Sequence, residues 1–385
     1  MREVEAILSS YESAKKAGLA CVLATVVHVE GSSYRRAGAR MLVDENGLMT
    51  GAISGGCLEG DALRKALHAL YQNQIKLITY DTSDEADAVI GAQLGCNGII
   101  QVLFEPLDYD NPQNAVSLLK KATEEEGMMV IGTFFNLQKA KVQGGTQLLV
   151  DDRLTLTFEV PDHRMITQLK ADCARVLKEG SSLFREYILG KEKEYVFLEA
   201  FLPPIKLVIV GAGNDAQVLA QMADMLGWKI VVTDGRPSHA NLSRFVGACE
   251  IIVTRPEKIL EEVAPDARTA FVLMTHNYNY DLAVLKLLLG ISAVPYIGIL
   301  GPRKKYDRML NDLNKEDINP SQEDFDRIFA PIGLALGAET SAEIALSILS
   351  EIQAVFTKTN GSSLKLKPGP IHLKKNNDFK TAVIE

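Results

Sequence analysis

The sequence predicts an α/β protein, with a mixed α/β N-terminal domain followed by a Rossmann-like doubly wound domain. Three observations carry this. Residues 206–234 read as strand, glycine turn, helix, strand and acid. Beyond residue 234 strands and helices keep alternating, the pattern of a parallel sheet covered on both faces. Before residue 203 they do not alternate regularly, which suits a mixed layer arrangement.

Residues 4–17 have the apolar spacing of an amphipathic helix ending at Gly18. Leu19 to Val29 is a β-branched, buried strand. Met41–Val43 and Leu48–Thr50 flank Asp44-Glu45-Asn46-Gly47, a hairpin signal in which Asn-Gly suits positive φ angles. A helix runs from Cys57 to about Gln72, with Leu63, Leu67 and Leu70 at helical spacing. Strands follow at 76–80 and 99–105, a helix at 111–126, strands at 128–135, 146–150 and 154–158, a helix at 162–179 and a strand at 195–202. The charged run Lys191–Glu194 and the pair Pro203-Pro204 mark a domain boundary. The predicted division is therefore 1–202, 203–356 and a basic, flexible tail at 357–385.

In the second domain Gly211-Ala212-Gly213-Asn214-Asp215-Ala216 joins the strand 206–210 to a helix. Gly211 makes the turn, Gly213 lets a pyrophosphate reach the helix N-terminus, and Ala216 permits close helix–sheet packing. Asp234 ends the next strand, where an acid accepts ribose hydroxyls and favours NAD. Arg236 is placed to pair with the 2′-phosphate of NADP. His276 follows the strand 269–274 and falls at the ligand edge of the sheet, either to touch a ligand or to cap the next helix. Pro302 opens a helix near its first position, and Thr340-Ser341-Ala342-Glu343 is a capping box opening another to about Val355.

The first domain carries its own candidate site. Gly55-Gly56-Cys57 ends an apolar run and precedes a helix, so Cys57 falls near a helix N-terminus, where an anion is favoured and a thiol is often reactive or ligating. Gly55 and Gly56 allow close backbone approach. The same letters also describe a tight turn with a small core cysteine. The loop Gly31-Ser32-Ser33-Tyr34-Arg35-Arg36-Ala37-Gly38-Ala39-Arg40 offers hydroxyls and guanidinium forks, which suit a phosphate. A second Gly-flanked cysteine, Cys96, is a candidate to share the site.

Forty-nine acidic against 41 basic residues give a net charge of −8, which argues against general nucleic-acid binding. No apolar run is long enough to span a bilayer. Five dispersed cysteines and an N-terminus without a signal pattern give a cytoplasmic expectation. No CxxC or HExxH pattern points to a local zinc site.

The segments GSSYRRAGARM, GAISGGCLEGD, LGCNG, VIVGAGNDA, MTHNYNYD, YIGILGPRKK and PIGLALGAETSAEIALSI resemble the xanthine dehydrogenase accessory factor family (XdhC/CoxI) over nearly the whole chain except the tail. Tyr34, Asn97, Asn277 and Pro302 depart from the family pattern. The resemblance implies a chaperone that binds the molybdenum cofactor (molybdopterin) and holds it during sulfuration. It also implies a molybdenum hydroxylase client, a sulfur donor such as a cysteine desulfurase, and a homodimer serving a dimeric client. Arg35, Cys57 and Cys96 are then the cofactor residues, joined by Ser32, Ser33, Arg40, Gly55 and Gly56, with Cys57 the ligand to the metal. Gly211, Gly213, Asp234, Arg236 and His276 form a separate NAD(P) expectation. The competing class is an NAD(P)-dependent oxidoreductase with His276 as acid/base.

Overall fold

The structure is a computed structural model and describes residues 1–31, 33–81, 98–138, 143–158, 162–367 and 379–384. The chain divides into two compact units, one of Glu3–Pro203 with Lys367–Glu385 and one of Met1–Arg2 with Pro204–Leu366.

The first unit begins with α1 (Arg2–Ala17), whose Ile7, Tyr11 and Ala14 form the buried stripe. Five antiparallel strands follow: β1 (Cys21–Gly31), β2 (Arg40–Asp44), β3 (Met49–Gly51), β4 (Lys76–Asp81) and β5 (Gly98–Pro106). Their order is β3-β2-β1-β5-β4. α2 (Glu59–Gln72) lays Ala62, Ala66 and Ala69 against one face, on Ala24, Val26, Val102 and Phe104. Alanine at these positions lets helix and sheet approach closely, at no cost in helix propensity.

A second sheet is built from β6 (Met129–Phe135), β7 (Gly145–Val150), β8 (Leu156–Phe158), β9 (Leu183–Leu189) and β10 (Glu192–Phe201), with α3 (Ala115–Glu124) and α4 (Ile166–Glu179) beside it. Val27 and Leu103 of the first sheet pack against Phe135, Phe184, Tyr195 and Phe197 of the second. The interior of this unit is therefore a layer between two sheets, with α2 and α4 on the outer faces, while α1 and α3 pack on Cys21, Leu23 and Leu42 of the first sheet's inner face.

In the second unit β11 (Lys206–Val210), β12 (Lys229–Asp234), β13 (Glu250–Val253), β14 (Thr269–Leu273), β15 (Tyr296–Ile299) and β16 (Ile328–Phe329) form one parallel sheet in the order β13-β12-β11-β14-β15-β16. Leu207 and Ile209 point to α5 (Asn214–Met225) and α10 (Ser341–Phe356). Val208 and Val210 point to the opposite face, which holds the short α6 (Ile259–Glu262), α7 (Tyr278–Leu289) and α8 (Arg303–Lys315), and the short α9 (Gln322–Arg327) leads into β16. That two-residue alternation of apolar side chains is why the strands read as continuous hydrophobic runs. The Rossmann-like expectation holds, and the order reverses between β11 and β14, where ligands of such sheets bind.

Several local expectations are corrected. The hairpin turn uses one positive φ, at Gly47 (83°), because Asp44 Oδ1 accepts from the N–H groups of Asn46 (3.0 Å) and Leu48 (2.9 Å). α3 starts at Ala115, since Asn114 caps it by accepting from Ser117 N. The charged run 191–194 is no linker: Gly190 (φ 67°) turns β9 into β10. Pro302 does open α8, as its N-cap, one residue before the first helical position. Residues 380–384 lie in the segment expected to be a flexible tail, yet Lys380–Ile384 form β17, a parallel partner of β9. Phe379 stacks there on His28. The alternation Phe379, Thr381, Val383 against Lys380, Ala382, Ile384 is a strand pattern too short to stand out beside the lysines before it.

Candidate functional site

The site begins with how the chain enters α2. Leu58 precedes the helix without capping it. Ser54, buried at 4% exposure, does that work from four residues upstream. Its Oγ accepts from Gly56 N (3.2 Å) and Leu58 N (3.1 Å) and donates to the Glu59 carboxylate. Glu59 Oε1 in turn accepts from Ser54 N at 2.9 Å. The loop 54–59 is thus closed on itself, and a carboxylate stands at the positive end of the helix. Cys57 sits inside this loop, two residues before α2, half-buried, with Sγ 3.4 Å from Ser54 Oγ.

The glycines differ in role. A Cβ on Gly55 would lie 3.2 Å from the Tyr34 ring, so that ring packs directly on the backbone. Gly56 has φ 111°, and a Cβ there would meet nothing within 4 Å, so the backbone beside Cys57 is open. Among the described residues the N–H groups of Gly55 and Cys57 have no partner. The 31–40 loop meets this segment through Tyr34, which is 69% exposed, and through Arg35. Arg35 Nη1 donates to Glu3 Oε2 at 3.1 Å, and Glu3 Oε1 accepts from Ala52 N at 3.1 Å. α1 therefore ties the arginine loop to the glycine loop. Arg35 Nε is buried and has no partner among the described residues.

The remaining predicted residues fall as follows. Ser33 lies half-buried in the same loop. Arg40 is elsewhere: it is buried on β2, donates to Gly38 O at 2.9 Å and pairs with Glu199 of β10. Its guanidinium joins the two sheets and is not turned to the glycine loop. Ser32 and Cys96 lie outside the described residues. Sequence reading gave no role to Ser54, Glu59 or Glu3. A serine five residues before a glutamate at a helix start is a stretched capping signal that would have found the first two.

In the second unit Gly211 (φ 117°) approaches β14 so closely that a Cβ would stand 2.8 Å from Met274 C and Thr275 N. Gly213 is the N-cap of α5, and the nearest atom to its missing Cβ is His276 Nε2 at 3.8 Å. His276 is exposed and does not cap α7. Asn277 does, accepting from Asn279 N and Tyr280 N. Asp234 is buried, and both its oxygens are taken. Oδ1 accepts from Arg236 N and Nε, each at 2.9 Å; Oδ2 accepts from Ala212 N and Arg236 Nη2, each at 2.8 Å. Burial pulls its pKa up, but the Arg236 and backbone bonds outweigh that and hold it below its ordinary value. Arg244 reaches Ala212 O (3.2 Å) and Asn214 Oδ1 (3.1 Å) over the same turn.

Among the described residues no group of three His, Cys, Asp or Glu is arranged to hold a metal ion, and no helix is long and apolar enough to cross a membrane. A thiol beside open backbone, partnerless N–H groups and a guanidinium nitrogen without an acceptor together suit a ligand with a soft centre and an oxyanion.

Residues 14–81 match the XdhC and CoxI family, and residues 207–352 match the XdhC Rossmann domain. The chain is 30% identical over 363 residues to a probable xanthine dehydrogenase subunit of Bacillus subtilis, covering 91% of this chain and 95% of that one. It is 25% identical over 353 residues to the molybdenum cofactor insertion chaperone PaoD of Escherichia coli, covering 91% and 86%. A crystal structure described as a xanthine dehydrogenase from Bacillus halodurans superposes with a TM-score of 0.73 at 28% identity, covering 94% of this chain and 98% of that one.

Proposed function

The chain belongs to the XdhC and CoxI family, and on that premise we propose that it is a maturation factor for a molybdenum hydroxylase. It binds the molybdenum cofactor, keeps it during sulfuration, and passes it to the client enzyme. The observation that carries this is the half-buried Cys57 thiol held by Ser54 beside the open backbone of Gly56. The similarity to an insertion chaperone supports it.

Cys57 is the soft ligand, to the metal or to a sulfur in transit. Arg35 reaches an oxyanion through its unpartnered Nε while Glu3 holds the other end of the fork. Gly56 supplies close backbone, Gly55 its partnerless N–H beside the Tyr34 ring, and Ser33 a hydroxyl, and Ser32 and Cys96 complete the set. The bound cofactor brings a dithiolene-held metal and a phosphate. The protein does no covalent chemistry of its own in this reading; it binds, orients and shields. A cysteine desulfurase supplies sulfur, a molybdenum hydroxylase receives the product, and the factor acts in the cytoplasm as a homodimer. The Rossmann unit is a nucleotide site governed by Arg236, with NAD(P) as its ligand class.

The test is molybdenum and pterin content of the protein after anaerobic co-expression with the cofactor pathway. Wild type retains both and Cys57→Ser does not. Equal content in the two overturns the assignment of Cys57, and no cofactor in either overturns the function.

A further inference from the structure

The Rossmann unit carries an ion pair to which neither the glycine turn nor Asp234 gives a purpose. Asp281, in the first turn of α7, is fully buried, at 0% exposure. Its Oδ2 accepts from Lys305 Nζ at 2.6 Å, and its Oδ1 accepts from Thr275 Oγ1 at 2.5 Å. Lys305 stands in the first turn of α8, and its Nζ also donates to Leu300 O at 2.9 Å. Its stem lies flat on Gly301, which has φ 136° and where a Cβ would be 2.9 Å from Lys305 Cδ. The ammonium is thus fixed by the chain beyond β14, the chain beyond β15 and the first turn of α7.

A pair so deep is a poor way to gain stability, since apolar residues of the same volume often do as well or better. What it does well is hold a donor still. An ammonium has three N–H groups. Among the described residues two of those on Lys305 have acceptors, and its side chain keeps 17% exposure. Because Asp281 offsets the charge, the third N–H suits a neutral oxygen better than a phosphate.

The position says which oxygen. In the sheet order β13-β12-β11-β14-β15-β16, Asp234 ends β12 on one side of the Gly211–Gly213 turn, and Lys305 stands beyond β14 and β15 on the other. A dinucleotide crosses such an edge with its diphosphate at the glycine turn and its two bases on opposite sides. We propose that Lys305 donates to the carboxamide oxygen of a nicotinamide ring, so that the unit takes the whole dinucleotide and not only its adenosine half. This rests on the nucleotide reading of the unit given above, and Asp281 is the positioning residue.

Calorimetry on the full chain compares a nicotinamide dinucleotide, its thionicotinamide analogue and ADP-ribose, each with and without the 2′-phosphate. ADP-ribose lacks the nicotinamide. The thio analogue keeps the ring but puts sulfur, a weaker acceptor, in place of the oxygen. Expected is ADP-ribose about tenfold weaker than the dinucleotide, the factor that one hydrogen bond to a charged group supplies, with the thio analogue between them. The double variant Asp281→Asn, Lys305→Met removes both charges, so no buried ion is left unpaired. It should bind ADP-ribose as wild type does, which shows the glycine turn intact, and lose the preference among the three. Equal affinity of wild type for the dinucleotide and ADP-ribose, or for the dinucleotide and its thio analogue, overturns the proposal and leaves the nucleotide site standing. So does a preference unchanged in the double variant. The wild-type comparison decides by itself if the double variant does not fold. Binding of none of the three by wild type overturns the nucleotide reading, and the role of Lys305 with it.

Discussion

The Ser54 hydroxyl donates to Glu59 and accepts from Leu58 N, so these two polar side chains fix the conformation of the loop that carries Cys57. The cysteine is held both by these neighbours and by its packing against the core under α2. Ser54→Ala removes a cap from two N–H groups, a loss of about 1 kcal/mol. The melting temperature should fall by a few degrees while the thiol stays chemically intact. Cofactor retention should fall too, though less than in Cys57→Ser. Retention at the wild-type level in Ser54→Ala would show that the loop needs no such closure.

Arg35→Ala tests the other side of the site. Arg35 is one-third exposed and its ion pair with Glu3 is a weak one. The fold should hardly change. Cofactor retention should weaken, and the wild type should lose retention with rising salt more steeply than the variant, since screening acts on the guanidinium. Parallel salt curves would remove Arg35 from the oxyanion role.

Arg40 belongs to stability instead. It is buried and its partner Glu199 is nearly so. Glu199→Ala leaves a buried guanidinium without its carboxylate, a loss on the order of 3–5 kcal/mol. Denaturant unfolding should show it as a lower midpoint. A change within about 0.5 kcal/mol, the range of ordinary surface substitutions, would mean that water reaches the guanidinium.

These contrasts show what the letters could and could not say. The Rossmann unit was legible because its evidence is local. Val210 leads into Gly211 and Gly213, Ala216 packs, and Asp234 follows at the end of the next strand, all within one supersecondary unit. Cys57 before a helix was legible for the same reason. Arg35 and Arg40 were not separable, because they share a loop sequence and differ only in partners 32 and 159 residues away. That Arg236 occupies Asp234, where an acid was expected to accept ribose hydroxyls, was not legible, since nothing in the spacing tells whether the arginine folds back. β17 was missed because a five-residue strand is specified by its partner, and that partner, β9, lies some 195 positions earlier.

Glu105 gives a pH signature. Burial raises its pKa above the ordinary value of 4.5, against the pull of the Thr146 bonds and the Arg40 charge. The folded state therefore keeps the proton to higher pH than the unfolded chain. Its contribution is fully present below about 4.5 and is lost as pH rises through the folded pKa. Glu105→Gln does not titrate. The stability of Glu105→Gln relative to wild type should thus increase as pH rises above 4.5. A constant difference across that range, measured by urea unfolding at several pH values, would mean that the carboxyl titrates normally.

The last expectation concerns Arg236. A ribose diol needs acceptor positions on Asp234, and Arg236 fills three of the four, two through its guanidinium and one through its backbone. The guanidinium is half-exposed and can leave without opening the core. Arg236→Ala keeps the Ala212 and backbone bonds and releases one position on each oxygen. Binding of NAD should tighten in this variant, by about tenfold if two hydrogen bonds to a charged acceptor are gained and part of their energy is spent on ordering the ligand. NADP should not gain in step, because the arginine lost is the one placed to meet a 2′-phosphate. Gly213→Val is the control. It puts a branched side chain over the α5 N-terminus, where the structure leaves open space out to His276, and should abolish both. Calorimetry on the three proteins decides. If NAD affinity is unchanged in Arg236→Ala, Asp234 is a structural staple for the Gly211–Gly213 turn, which its bond to Ala212 N already suits, and ribose recognition lies elsewhere or does not occur.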